Sequence, residues 1–185
     1  MNLKKKYLNL KEIIKNNIFL FSLIIMTKQN ALIIKSITGG FKESTKVFTY
    51  TIYRNFDYYK EDTVLHHTLE DINKLLKSKD MYCLLVYNIH HQLIAYLIGE
   101  IIKLDNGKMV FFINYLYVIH KYRNLGIGSK LLNIVISRVK QWKIGGIMLL
   151  YNSTNDYLTN FFANRNFHID DTYRRNERYE ILSYQ

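Results

Sequence analysis

Asn114-Tyr-Leu-Tyr-Val-Ile-His-Lys-Tyr-Arg-Asn-Leu-Gly-Ile-Gly-Ser-Lys-Leu-Leu-Asn133 is the stretch whose reading decides this chain. It opens as an apolar, aromatic run, which predicts a strand. It passes through a basic turn, Lys121 to Gly128, and continues with Leu131, Leu132, Val135, Ile136 and Val139 at helical spacing. A helix presents unbonded N–H groups and the positive end of its dipole at its first turn. Glycine there lets an anion approach the backbone closely. Strand, glycine turn and helix together predict a phosphate-binding loop.

The spacing chooses among such loops. A Walker loop ends in Gly-Lys-Ser/Thr after a longer gap, and Gly128-Ser129-Lys130 has another order. A dinucleotide fingerprint needs a third glycine, which is missing. What stands here is Arg123-x-x-Gly126-x-Gly128, preceded by Leu116-Tyr117-Val118. This pattern resembles motif A of the GNAT superfamily of acyl-CoA N-acyltransferases. The resemblance implies that Arg123, Asn124, Leu125, Gly126, Ile127, Gly128 and Ser129 hold the pyrophosphate of acetyl-CoA. It also implies that the backbone of Leu116, Tyr117 and Val118 faces the pantetheine arm and the thioester carbonyl.

The flanking sequence agrees in order. Ala31–Ile37 is an apolar run closed by Gly39-Gly40, a strand and its turn. Residues 42–59 and 63–76 carry apolar residues at helical spacing, the second with Asp62 as N-cap. Met81–Ile89 and Gln92–Leu104 read as strands joined by a turn at His90-His91. Asp105-Asn106-Gly107-Lys108 predicts a type I′ hairpin, with Met109–Ile119 pairing back. Beyond the loop helix, Ile147–Tyr151 reads as a buried strand. Asn155, Phe161 and Asn166-Phe167 resemble the family's fourth-helix signature, which adds Asn155 to the cofactor residues. Residues 168–183, turning near Asn176-Glu177, would supply the closing strands. The expected fold is α/β, the GNAT fold, with a mixed central sheet flanked by helices on both faces.

Composition sets bounds. The 185 residues fit one domain and are 49% hydrophobic, enough for a core. Proline is absent, where ordinary usage of about 5% would give roughly nine. A bias toward Lys, Asn, Ile and Tyr accounts for much of the net charge of +11 without any partner. The single cysteine, Cys83, excludes an internal disulfide, and the expectation is an intracellular, cytoplasmic chain. Residues 1–28 hold six lysines and one glutamate, +5, which leaves +6 for residues 29–185. The apolar run Ile18–Ile25 is far short of the ~20 residues that span a bilayer. Residues 1–28 are therefore expected to be an extension and 29–185 the domain. His66 and His67, expected on the second helix, are adjacent and point to different faces, so no metal pair is predicted.

Acetyl transfer to an amine needs a neutral amine, a stabilised oxyanion and a proton for the departing thiolate. The acid and base positions common in the family fall here on Phe112, Phe162 and Leu150, none of which exchanges a proton. Asn114 shares strand parity with Phe112 and is a candidate to orient a water or the acceptor. Glu100 is the other candidate, though a two-residue hairpin turn would put it across from Ile113, on the face away from Phe112. Tyr115, Tyr117 and Tyr173 are further phenols, expected in the core or at its rim.

The activity expected is N-acetyl transfer from acetyl-CoA to a primary amine, with a protein N-terminus as the first acceptor and a small amine or lysine close behind. The alternatives are an acetyl-CoA-binding regulatory module with little catalysis, and a nonspecific nucleic-acid binder resting on charge alone. Neither a specific nucleic-acid partner nor a stable membrane span is expected.

Overall fold

The computed structural model describes residues 22–26, 31–42, 45–56, 65–173 and 179–184. Among the described residues, eight strands form one sheet. In chain order they are β1 (Ser22–Met26), β2 (Ala31–Thr38), β3 (Met81–Tyr87), β4 (Leu93–Lys103), β5 (Met109–Val118), β6 (Ile147–Asn152), β7 (His168–Ile169) and β8 (Tyr179–Tyr184). Their order across the sheet is β1-β2-β3-β4-β5-β6-β8-β7. Pairing is antiparallel except between β5 and β6, which run parallel. A parallel pair needs a crossover, and α3 (Ile127–Trp142) supplies it. The sheet takes in Ser22–Met26, from the segment expected to be an extension, and pairs it with β2.

Two cores lie on the two faces. α3 buries Ile127, Leu131, Leu132, Val135, Val139 and Trp142 along one stripe against Leu84, Leu97, Phe111 and Ile113. α4 (Asp156–Ala163) adds Phe162 to the same face. On the opposite face, α1 (Lys46–Asn55) and α2 (Leu69–Lys77) bring Ile52, Ile72, Leu75 and Leu76 onto Met81, Cys83, Tyr96, Ile98 and Tyr115. The mixed sheet with helices on both faces is the expected architecture.

Four local expectations are corrected. The second helix starts at Leu69, not near residue 63, because Thr68 closes a capping box with Asp71: Asp71 N donates to Thr68 Oγ1 at 3.1 Å and Thr68 N to Asp71 Oδ2 at 3.0 Å. His66 and His67 therefore precede the helix. The Asn-Gly turn is also not type I′. Only Gly107 has positive φ, at 82°, and Leu104 N bonds Lys108 O at 2.9 Å, so the loop has three residues. Glu100 consequently pairs with Phe112, not Ile113, and the two share a face. The first helix spans Lys46–Asn55, shorter than expected. The predicted turn near Asn176-Glu177 lies outside the described residues.

One irregularity positions the site. Ile98 pairs with Tyr115 but Gly99 pairs with Ile113, so Asn114 is the extra residue of a β-bulge. Gly99 makes it possible: a Cβ there would lie 2.4 Å from Phe112 O and 2.5 Å from the Phe111 ring.

Candidate active site

The glycine turn folds as a cradle at the start of α3. Asn124 and Gly126 both adopt the left-handed conformation, at φ 60° and 76°, which turns the chain into the helix. The first intrahelical bond is Lys130 N to Gly126 O, at 3.0 Å, so the N–H groups of Ile127, Gly128 and Ser129 have no helical acceptor. No acidic residue sits in that first turn. A Cβ on Gly126 would meet nothing within 4 Å, so the space above the turn is open. A Cβ on Gly128 would stand 3.3 Å from Phe161, so here the glycine lets α4 close up against the loop.

Two cations flank this positive helix end. Arg123 donates Nε to Val118 O at 2.9 Å and places its guanidinium 6.0 Å over the Tyr117 ring. Arg165 bonds Ser129 Oγ and the carbonyl of Phe161, 4.1 Å above the Phe161 ring. A guanidinium beside a helix N-terminus repels the dipole, so this arrangement calls for an anion. Arg165 was missed in the sequence because its contact to Ser129 spans 36 residues and follows no local pattern. Tyr157 Oη bonds Asn124 Oδ1 at 3.2 Å, a second tie between α4 and the loop. Asn155 caps α4, its Oδ1 accepting from Leu158 N at 3.1 Å. Leu125 is half exposed at the tip.

Beside the cradle, β5 has an open edge. Its pairing with β6 covers Phe111–Ile113 against Ile147–Leu149 and stops there, while β5 runs on to Val118. Ile119 donates to Ile94 at 2.9 Å, toward β4. Alternation along the ladder turns the N–H groups of Leu116 and Val118 the other way, to the open edge. Leu116 and Val118 themselves pack on the α3 face.

The opposite face of β5 carries the polar groups. Glu100 and Asn114 come together, close enough for the Asn114 amide to favour the ionised Glu100 carboxylate. Partial burial raises the Glu100 pKa; Asp80 adds to the rise, and Asn114 and Lys74 oppose it. Asn114 Oδ1 is buried without a partner. Further along, Tyr117 stacks on Tyr96 at 5.5 Å, and Tyr115 packs edge-on to Phe56 at 5.1 Å. Of the three apolar positions, Phe162 is buried with Tyr151 and Phe167, while Phe112 and Leu150 are partly buried against Val110, Met148 and Ile181. Cys83 is fully buried, which pushes its thiol pKa far up and removes it as a nucleophile. Among the described residues, no three His, Cys, Asp or Glu side chains gather as a metal site, and no helix is long and apolar enough to cross a membrane. A cleft of about 970 Å³ between α1 and α2 includes no residue of the loop or of β5.

This layout is similar to that of solved structures. Arabidopsis thaliana NAA60 in complex with acetyl-CoA is 14% identical with a TM-score of 0.60, over 83% of this chain and 97% of that one. Arabidopsis thaliana Naa50 in complex with the bisubstrate analogue CoA-Ac-MVNAL is 18% identical with a TM-score of 0.58, over 82% and 98%. An aminoglycoside acetyltransferase from an uncultured soil metagenomic sample, in complex with trehalose, is 17% identical with a TM-score of 0.55, over 78% and 91%. No curated protein matches the chain in sequence. Residues 47–167 match the acetyltransferase (GNAT) family, a span that holds both the cradle and the open strand edge. The chain belongs to that family of acyltransferases.

Proposed function

We infer that this protein moves acetyl from acetyl-CoA to a primary amine, with a protein N-terminus as the first acceptor to try. The observation that carries the reading is the open edge of β5 beside the glycine cradle. Acetyl-CoA supplies the acyl group as a thioester. The N–H groups of Ile127, Gly128 and Ser129, with Arg123 and Arg165, hold its phosphates, and Asn124 and Leu125 shape the turn. The backbone of Leu116, Tyr117 and Val118 aligns the pantetheine arm, and a free N–H there meets the thioester carbonyl oxygen, where charge develops. Asn155 fixes the end of α4 that closes on the loop. Across the strand, Asn114 Oδ1 accepts an N–H of the incoming amine and Glu100 places negative charge behind it. Positioning of this kind alone removes several kcal/mol of barrier. The N-terminus rests on the likeness to NAA60 and Naa50; the aminoglycoside acetyltransferase keeps small amines on the panel.

The test is acetyl-CoA binding by calorimetry on the whole chain and on a Gly126→Glu, Gly128→Glu double variant, followed by turnover on peptides and amines. Wild type binds, and the variant loses binding by more than about 100-fold, because two carboxylates enter the anion cradle. Equal binding by both would remove the loop assignment. Binding without turnover on any amine would favour an acetyl-CoA-binding regulatory module, the reading to which the apolar Phe112, Leu150 and Phe162 lend support.

A further inference from the structure

With Phe112, Leu150 and Phe162 in the usual acid and base positions, the proton that an acceptor ammonium must lose has no evident taker. The structure holds a pair suited to it outside those positions. Tyr115 Oη and His67 Nδ1 are hydrogen-bonded, their rings perpendicular at 5.4 Å. Tyr115 is 4% exposed, pinned between Phe56 and His67. His67 immediately precedes Thr68, and the capping box of α2 fixes the backbone on which it stands. Tyr53, Phe56, Leu65, His66, His67, Ile72 and Tyr115 enclose a cavity of about 10 Å³, room for roughly one water.

The bulge explains why this tyrosine is on the right side. It carries Tyr115 and Tyr117 onto the same face as Phe112 and Glu100, opposite Ile98 and Tyr96. The cradle, α3 and α4 occupy the other face. An acyl group laid along the edge of β5 from the cradle is therefore open to a nucleophile from the Tyr115 side.

We propose that Tyr115 and His67 form the proton-accepting pair for acetyl transfer, a role that rests on the acetyl-transfer reading above. Tyr115 Oη takes a proton from the acceptor ammonium, through one water, as its own hydroxyl proton passes to His67 Nδ1. The neutral amine forms the C–N bond and the C–S bond breaks. The remaining excess proton on nitrogen goes to the departing thiolate. The imidazolium gives its proton to solvent between turnovers, so one proton is released per acetyl moved. Several groups surround His67. Burial holds its pKa below the ordinary value and His66 acts in the same sense, so the resting imidazole is neutral at pH 7. Asp71, on the first turn of α2, opposes them and stabilises the imidazolium once it forms. Tyr53 packs on His66 at 6.1 Å.

The experiment is steady-state kinetics on an acceptor turned over by wild type, from pH 5 to 9, with Tyr115→Phe, His67→Gln and, as a control, His168→Gln. Tyr115→Phe and His67→Gln lower kcat by about 100-fold or more, the usual range for a lost acid–base group. Both leave acetyl-CoA affinity unchanged by calorimetry. In wild type, kcat/KM rises with pH through an apparent pKa below 6.5, and His67→Gln abolishes that limb. His168→Gln, at an exposed position on β7, keeps the limb and stays within about twofold of wild type in kcat. Imidazole added to a His67→Gly variant restores part of kcat. Should Tyr115→Phe fail to fold, His67→Gln, at a half-buried site, carries the same readouts. Unchanged kcat with the same acid limb in His67→Gln overturns the pair but leaves acetyl transfer standing. No turnover by wild type on any amine overturns both.

Discussion

On the α3 side of β5, the groups that would hold a ligand belong to the backbone: the N–H groups of Ile127, Gly128 and Ser129, and those of Leu116 and Val118 at the unpaired edge. On the α1–α2 side they are side chains: Glu100, Asn114, Tyr115 and His67. A backbone site needs only the right turn, and two glycines at fixed spacing give that turn whatever surrounds them. A side-chain site needs the right residue on the right face, which depends on register and on contacts far along the chain. The first side keeps the family's glycine pattern but carries Phe162 at one of the usual acid and base positions, while the second carries Phe112 and Leu150 at the others and assembles polar groups elsewhere.

The sharpest way to break the contrast is to remove the feature both sides share. Gly99→Ala drives a Cβ into Phe112 O at 2.4 Å, against backbone that cannot swing aside. The bulge must shift or the sheet must part. We expect a loss of about 3 kcal/mol, comparable to other strongly overpacked core sites, and a Tm lower by roughly 6–12 °C for a chain of this size. An unchanged melting curve would mean that the bulge does not depend on Gly99.

A second change separates the two sides. Arg165→Ala removes one cation from the start of α3 without touching β5. Acetyl-CoA affinity should fall about tenfold, in line with roughly 1.4 kcal/mol for a charge-assisted contact, and the fall should shrink in high salt. The acceptor KM should not move. A change confined to the acceptor would place Arg165 on the wrong side of the comparison.

The converse test is Asn114→Ala. The backbone bulge needs no amide side chain, so acetyl-CoA binding should be unaffected, while the acceptor KM rises about threefold to tenfold for one lost hydrogen bond. Equal effects on both substrates would show that Asn114 serves only to shape the strand.

The same division decides how much was legible from sequence. Arg123-x-x-Gly126-x-Gly128 was readable because its geometry is local, and Ile127, Leu131, Val135 and Val139 marked the helix behind it. Phe112 facing Glu100 was not, because one extra residue in the hairpin moved the register and with it the face. Two signals were present and went unused. Gly99 inside an apolar strand is the mark of a bulge. Thr68-Leu-Glu-Asp71 has the spacing of a capping box, which would have put His67 outside the helix. Arg165 on Ser129 and His67 on Tyr115 span 36 and 48 residues, and only the assembled sheet brings them together.

The smallest predicted effect has the most informative sign. Glu100 carries a folded-state pKa raised mainly by burial, with Asp80 adding to it. Where a carboxyl group titrates higher in the folded state than in the unfolded one, the folded protein binds more protons between the two values. Stability then falls as pH climbs through that window, from the ordinary carboxylate range up to the folded pKa, and the penalty persists at neutral pH. Glu100→Gln removes the charge and keeps the shape. It should therefore raise the Tm slightly at pH 8 and leave it unchanged near pH 3, where wild-type Glu100 is protonated in both states. The half-exposed position limits the gain, since water screens the group. The same variant should raise the acceptor KM. Stability gained with acceptor binding lost is what a carboxylate kept for its substrate predicts; a Tm lower at both pH values would instead make Glu100 a structural partner of Asn114.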